Sequence, residues 1–240
     1  MNILVACEES QRVCAAFRER GHNAFSCDII EPSGGHPEWH ILGDVLEVLN
    51  PKEHCYLGKP FLGIMFETMD GQPHGIIGQW DMIIAHPPCT YLSNVATRSF
   101  SLRCAPPEKV VARWEQRARA AVFFMYFVLA DCPRVAVENP VGFMNTAYRK
   151  PDQIIHPYMF AKSIDDKENY HTKRTCLWLK GLHTLKPTNS LPAPDLKAIY
   201  GTYPSGKTPC WEDTVSGDDR ATVRSKTFTG IARAMAEQWG

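Results

Sequence analysis

The sequence predicts an α/β fold: a doubly wound, mostly parallel sheet with a small irregular C-terminal part. Two observations point to it. Short apolar runs alternate with stretches of helical spacing through the first 140 residues. Each run also ends in a small polar group, as strands do where they open onto a ligand cleft. The chain is long enough for one full-sized core, with 240 residues, 44% of them hydrophobic and 22% charged.

Residues 3–6 form the first apolar run and lead into Cys7-Glu8-Glu9-Ser10-Gln11. Val13, Ala16 and Phe17 then recur at helical spacing as far as Gly21, a natural stop. A second strand covers 23–30 and closes on Asp28, and 39–50 holds a short strand, Gly43-Asp44 and a turn or helix. The opening is βαβ-like. From 51 to 79 the pattern breaks: Gly58-Lys59-Pro60, alternation through Phe66 and Thr68, then Asp70-Gly71 predict an inserted β-hairpin. Residues 80–85 resume a buried strand that ends in His86-Pro87-Pro88-Cys89-Thr90-Tyr91. A polar loop with Arg98, Arg103 and Pro106-Pro107 follows, and apolar residues at 110, 111, 114, 118, 121, 122 and 125 predict a long helix over 108–130. Its partner strand, 134–137, ends in Glu138-Asn139-Pro140. Beyond it, 153–160 contains extended apolar residues, 175–179 reads as a strand, 186–219 is rich in Pro, Gly, Thr and Ser, and a helix over 229–239 closes the chain. The expected organisation is a core over 1–180 interrupted at 51–79, a reduced region over 181–224, and a closing segment over 225–240 that packs back on the core.

Lys plus Arg equals Asp plus Glu at 26 each, so bulk charge does not advertise a nucleic-acid binder, and any such surface depends on local segregation. Two stretches provide it. Lys173, Arg174, Lys180 and Lys186 lie in 171–190 without an acid, and Arg220, Arg224, Lys226 and Arg233 lie in 220–233 without one, a pattern suited to phosphates along one edge of a cleft. Nine scattered cysteines with no Cys-x-x-Cys, behind a start with no basic region, predict a reduced, cytoplasmic protein without structural zinc. His36, His40, His54, His74 and His86 have spacings that fit no compact metal site. The longest apolar run, 120–130, falls well short of the roughly 20 residues that span a bilayer, so no membrane association is expected.

In a doubly wound sheet the ligand sits beyond the carboxyl ends of the strands. Those ends carry residues 7–11, Asp28, Asp44, Pro87-Pro88-Cys89 and Glu138-Asn139-Pro140. An acid closing the second strand can accept from ribose hydroxyls and one after the third from an adenine amino group; both positions also suit ordinary loop-capping residues. No Gly-x-Gly-x-x-Gly follows the first strand, and Cys7-Glu8-Glu9 would repel a pyrophosphate, which disfavours a dinucleotide enzyme. Cys89 follows two prolines at the end of a buried strand, a stiff turn on which a thiolate can meet a ligand. Glu138, on the adjacent strand end, can supply a proton or a hydrogen bond to the same ligand.

These residues resemble the DNA cytosine carbon-5 methyltransferase family, in a compact phage-like or prophage-like form. Residues 81–91 resemble its Pro-Cys nucleophile motif, and Val137-Glu138-Asn139-Pro140 resembles its Glu-Asn-Val motif. Lys173-Arg174-Thr175 resembles part of its basic Gln-x-Arg-x-Arg motif, and 226–236 its closing motif. The resemblance implies a Rossmann-like methyltransferase fold, S-adenosyl-L-methionine as cofactor, and methylation of carbon 5 of a cytosine flipped out of DNA through a covalent cysteine adduct. It makes Cys89, Glu138 and Arg174 catalytic, with Pro88, Asn139, Lys173 and Arg98 on the substrate. It sets the cofactor against Cys7, Glu8, Ser10, Asp28, Ile29, Asp44, Val45 and Pro87, although the family's aromatic residue and glycines are missing from 7–11. Only about 45 residues separate the basic and closing motifs, too few for a large recognition domain. Short or relaxed specificity is therefore expected, or recognition by other loops or a protein partner. The loop over 93–109 is a candidate lid. Two alternatives remain: one-carbon transfer to a free cytosine nucleotide or from a modified cofactor, and a catalytically silent nucleic-acid-binding homologue.

Overall fold

Strands buried on both faces need apolar residues at every position, and the chain's short apolar runs meet that need by pairing side by side. The computed structural model describes residues 1–217 and 220–240. Its elements are β1 (Asn2–Ala6), α1 (Arg12–Glu19), β2 (Asn23–Asp28), β3 (His40–Leu42), α2 (Leu46–Leu49), β4 (Lys52–Tyr56), β5 (Lys59–Glu67), β6 (Pro73–Ile77), β7 (Met82–Ala85), α3 (Pro107–Val128), β8 (Val135–Pro140), α4 (Met144–Ala147), β9 (Gln153–Ile155), β10 (Thr175–Lys180), α5 (Leu196–Tyr200), α6 (Trp211–Thr214), α7 (Arg220–Ser225) and α8 (Thr229–Trp239). Short 3-10 turns cover Pro37–Trp39, Asn94–Phe100 and Pro157–Phe160.

Seven strands form one sheet in the order β3-β2-β1-β7-β8-β10-β9. The first five are parallel, β10 runs against β8, and β9 runs against β10. The order proceeds outward from β1 in one direction and from β7 in the other, so the crevice where connections diverge lies between these two strands. The fold is thus α/β with a mostly parallel sheet, compatible with a Rossmann-like arrangement.

Side chains alternate across the sheet with period two and build a core on each face. Leu4, Ala6, Phe25, Cys27, Ile83, Ala85 and Val137 face Phe124 and Phe127 of α3. Ile3, Val5, Ala24, Ile84 and Ala136 lie in the opposite core with Val13 and Phe17 of α1 and Ile231, Met235 and Trp239 of α8. Burying one such aromatic stabilises the fold by roughly 1.5–3 kcal/mol. α3 opens on Pro107 in its first turn, where a missing N–H costs nothing. α1 ends before Gly21, whose φ of 82° few other residues adopt without strain.

The 51–79 insertion is larger than a hairpin: β4, β5 and β6 form a separate antiparallel sheet of three strands. Asp70-Gly71 turns β5 into β6, while Leu57-Gly58, both at positive φ, turns β4 into β5. Ile64 and Ile76 anchor this sheet to the main core, and Phe66 stacks edge-on to Phe25 beside Trp80. Within 186–219, α5 and α6 break the irregular chain. The span over 153–160 divides into β9 and a 3-10 turn. No helix among the described residues is long and apolar enough to cross a membrane.

Two strand-end loops are pinned together by an antiparallel bridge between Ser93 and Gly142, reinforced by the Phe143 N–H donating to the Leu92 carbonyl at 2.6 Å. A Cβ on Gly142 would lie 2.0 Å from the Leu92 carbonyl oxygen, so only glycine allows this approach. Gly142→Ala is expected to destabilise the protein by about 1–3 kcal/mol, read as a lower denaturant midpoint; an unchanged midpoint would mean that the loops separate freely.

Candidate active site

The register of the parallel strands decides which residues meet. Ala6 of β1, Cys27 of β2, Ala85 of β7 and Val137 of β8 stand in one row across the sheet. The next residue of each strand is therefore Cys7, Asp28, His86 or Glu138. Chemistry-bearing side chains emerge together where the apolar row stops.

Cys89 follows three residues after His86. Pro87 and Pro88 fix the chain's φ angles and offer no N–H, which keeps the turn extended away from the sheet. Pro87 is buried and its carbonyl accepts from Asn139 Nδ2 at 2.7 Å, while Pro88 and Cys89 are exposed. The Cys89 carbonyl accepts from the N–H groups of Leu92 and Ser93 at 3.0 and 2.9 Å, closing the turn behind the thiol. Asn139, expected on the substrate, is a buried brace for this turn, its side-chain amide used in that hydrogen bond.

Glu138 lies inside β8, paired with Leu177 of β10, and not in a loop beyond the strand. Its side chain is 18% exposed, and Oε2 lies 3.2 Å from Nδ1 of His86, itself only 6% exposed. Burial alone would raise the Glu138 carboxyl, but the hydrogen bond and charge of His86 and the charge of Lys173 outweigh it and hold Glu138 below the ordinary carboxylate range. The opposite holds at the thiol. Although residue 89 is exposed, partial loss of water over the packed turn raises Cys89, and the charge of Glu138 raises it further; Lys173 and Arg224 pull it back without cancelling the rise. Thiol, carboxylate and ammonium are thus close enough to act on one another.

The basic groups sort themselves by strand direction. Because β10 is antiparallel, the residues before it arrive at the carboxyl ends of the parallel strands, whereas Lys180 at its end pairs in register with Val135 at the start of β8. Lys180 donates to the Ala130 carbonyl at 2.9 Å, so the acid-free stretch 171–190 is not one patch along the cleft. Lys173 does reach the site. Its Nζ donates to the Arg224 carbonyl at 2.9 Å and lies 5.7 and 5.6 Å from the ring centres of Trp211 and Phe228. Arg174, the catalytic base-contacting residue by resemblance, is exposed, and its charge acts on Cys176 behind the row. Of the two, it is Lys173 whose charge acts on both Cys89 and Glu138. Arg98 is exposed on the Asn94–Phe100 turn, which Phe100 ties down by packing 3.4 Å beneath the Arg117 guanidinium.

At the β1 and β2 ends the expected residues divide. Glu8 is not available to a ligand: it is buried, and its two carboxylate oxygens accept from the N–H groups of Val13 and Cys14, at 2.6 and 3.1 Å, in the first turn of α1. Burial nevertheless raises its carboxyl overall, against the charge of His86 and those two hydrogen bonds. Val45 is buried in the core, so its side chain too is withdrawn. Ser10 is buried under Gly34, whose missing Cβ would lie 2.8 Å from the Ser10 carbonyl. Asp28 stays half-exposed, raised by burial against its hydrogen bonds from Ile30 and Ile29. Ile29 is 77% exposed, a large apolar side chain just past the end of β2. Asp44 is exposed and accepts from the Leu46 N–H at 3.0 Å. Burial, then Asp28, Cys27 and Asp44, push the Cys7 thiol well up, so it stays protonated beside these acids.

Two residues of the site have no role of their own in the sequence pattern. His86, read from the sequence as the residue before Pro-Pro and as one of five histidines that fit no metal site, sits at the crevice between β1 and β7, its backbone N–H donating to the Ala6 carbonyl at 2.9 Å. Glu9 is buried with Oε1 free of hydrogen bonds, 3.7 Å from Lys226 Nζ. No group of His, Cys, Asp and Glu among the described residues is arranged to hold a metal. Chemically the arrangement offers an accessible nucleophile, an ionised carboxylate with a protonatable neighbour, and a lysine that favours negative charge on either. Replacing Glu138 by Gln removes the anion that opposes thiolate formation, so alkylation of Cys89 is expected to speed up by about tenfold at neutral pH. Lys173→Gln should slow it, both followed by peptide mapping; equal rates in all three proteins would show that the groups do not interact. Comparison with protein-family models gives no match, and comparison with curated proteins gives none either.

Proposed function

We propose that the protein transfers a methyl group from S-adenosylmethionine to carbon 5 of cytosine in DNA, through a covalent adduct with Cys89. The observation that carries this reading is the pairing of an exposed thiol with a largely buried, ionised carboxylate on neighbouring strand ends, with Lys173 acting on both. Carbon 5 of cytosine is a poor nucleophile. Addition of the Cys89 thiolate to carbon 6 makes carbon 5 part of an enamine, and Glu138 favours the addition by binding nitrogen 3 and the amino edge, where charge changes. A base inside a duplex cannot reach this turn, so flipping is part of the proposal. Arg98, Arg174 and Arg220 are exposed, and Arg224 acts on the thiol; these cations suit the flanking phosphates. Residues 181–224 contain only short helices among those described, which favours short or relaxed sequence specificity or recognition shared with a partner.

The residues at the β1 and β2 ends fit the cofactor. Glu9 Oε1 is a buried acceptor without a hydrogen bond, ion-paired to Lys226 at 3.7 Å and with room for a second ammonium, Asp28 is a half-exposed acid suited to ribose hydroxyls, and Ile29 offers an apolar surface to a base. Asp44 and Cys7 complete this acidic, uncharged-thiol wall, which suits a cationic ligand better than a pyrophosphate. When bound, S-adenosylmethionine supplies an electrophilic methyl group on a sulfonium. Ser10 and Pro87 contribute backbone and shape rather than charge.

Incubation with S-adenosylmethionine and DNA containing 5-fluorocytosine should give a stable protein–DNA adduct that Cys89→Ser abolishes. Glu138→Gln should slow its formation by more than about 100-fold. Label from the methyl donor found in dCMP and not in DNA would replace DNA by a free nucleotide as substrate. No adduct and no cofactor affinity would leave a silent binding module.

A further inference from the structure

A carboxylate held ionised cannot itself donate the proton that nitrogen 3 of the base requires, so the source of that proton has to be sought beside Glu138. Nδ1 of His86 is 3.2 Å from Glu138 Oε2, and the ring is more than nine-tenths buried. Its other nitrogen, Nε2, is buried without a hydrogen-bond partner among the described residues. The charged groups that act on the ring come from two neighbouring elements, Glu8 from the loop between β1 and α1 and Glu138 from β8; beyond them Lys173 acts on Glu138 and Cys89, and Arg224 on Cys89. One imidazole thus stands between two carboxylates, one bonded to it and one acting through space.

We infer that His86 is a positioning residue that stores the proton Glu138 delivers to cytosine, so that imidazole and carboxylate work as one proton-sharing pair. This rests on the cytosine reading above. As the Cys89 sulfur, its proton released to solvent, bonds to carbon 6 as the thiolate, the carbon 5–carbon 6 π pair moves between carbons 4 and 5, and the π pair of the nitrogen 3–carbon 4 bond moves onto nitrogen 3. Nitrogen 3 takes a proton from Glu138, and Glu138 takes one from His86 Nδ1. The transfers reverse when the nitrogen 3–carbon 4 double bond re-forms. During this interval the neutral ring keeps its one proton on Nε2, which has no hydrogen bond to lose, and Nδ1 recovers its proton when the transfers reverse.

Two measurements on the full chain test this. In nitrogen-detected NMR of labelled histidine, the titration midpoint of His86 should fall by about one pH unit or more in Glu138→Gln; an unmoved midpoint overturns the pair. The rate of adduct formation on 5-fluorocytosine DNA should be about 100-fold lower in His86→Gln than in the wild type at about pH 8. Gln keeps a hydrogen bond to Glu138 but stores no proton, so the gap should close as the pH falls into the range where Glu138 protonates by itself. A gap that is constant with pH, or absent, overturns the proton-storing role and leaves only packing. A normal midpoint shift in a chain that forms no adduct overturns the cytosine reading and not the pair.

Discussion

Everything at this site depends on strand register. Parallel pairing sets Ala6, Ala85 and Val137 level with one another, and the residues that follow inherit that alignment without any further instruction. A slip of one residue in β8 would turn Glu138 toward the α3 core and bring Val137 or Asn139 to the crevice. Register is in turn held by the two cores, since Val137 and Ala136 each have a buried place on opposite faces. Packing of inert methyl groups is therefore what puts the carboxylate within reach of both the imidazole and the thiol.

The electrostatics of the crevice divide the labour between acids of the same type. Glu8 and Glu138 are both buried carboxylates near His86, yet their carboxyls shift in opposite directions. Glu8 lies deeper and its charge is met by two backbone N–H groups, which do not offset its loss of water. Glu138 keeps part of its surface open and has a hydrogen bond from His86 with Lys173 nearby, which do. The first is suited to hold a helix in place. The second is suited to face a ligand.

Much of the sheet was legible because a buried strand has to be apolar throughout, so 3–6, 80–85 and 134–137 announced both themselves and the polar residues at their ends. β4 was not, because Lys52-Glu53-His54-Cys55-Tyr56 lies on an exposed edge and carries no alternation to read. The Cys89 turn was legible from its prolines, whose constraint is local. The roles of Glu8 and Asn139 were not, because each is defined by a partner on another segment: a helix start for one, the Pro87 carbonyl for the other. The preference between Lys173 and Arg174 was equally hidden. Adjacent residues diverge, and which of them turns inward depends on the direction and pairing of β10.

The reversed course of β10 also separates the two ends of one short segment by the full height of the sheet. Its entry, at Lys173, belongs to the reactive edge, while its exit turns at Gly181, where a Cβ would meet the Pro133 carbonyl at 2.1 Å, and passes to His183, which is tied to the Gln238 carbonyl. Lengthening the chain on the entry side would disturb the crevice directly. The exposed stretch just after the exit offers the reverse: an attachment point for a fluorophore or surface tether that leaves the mouth of the molecule unobstructed.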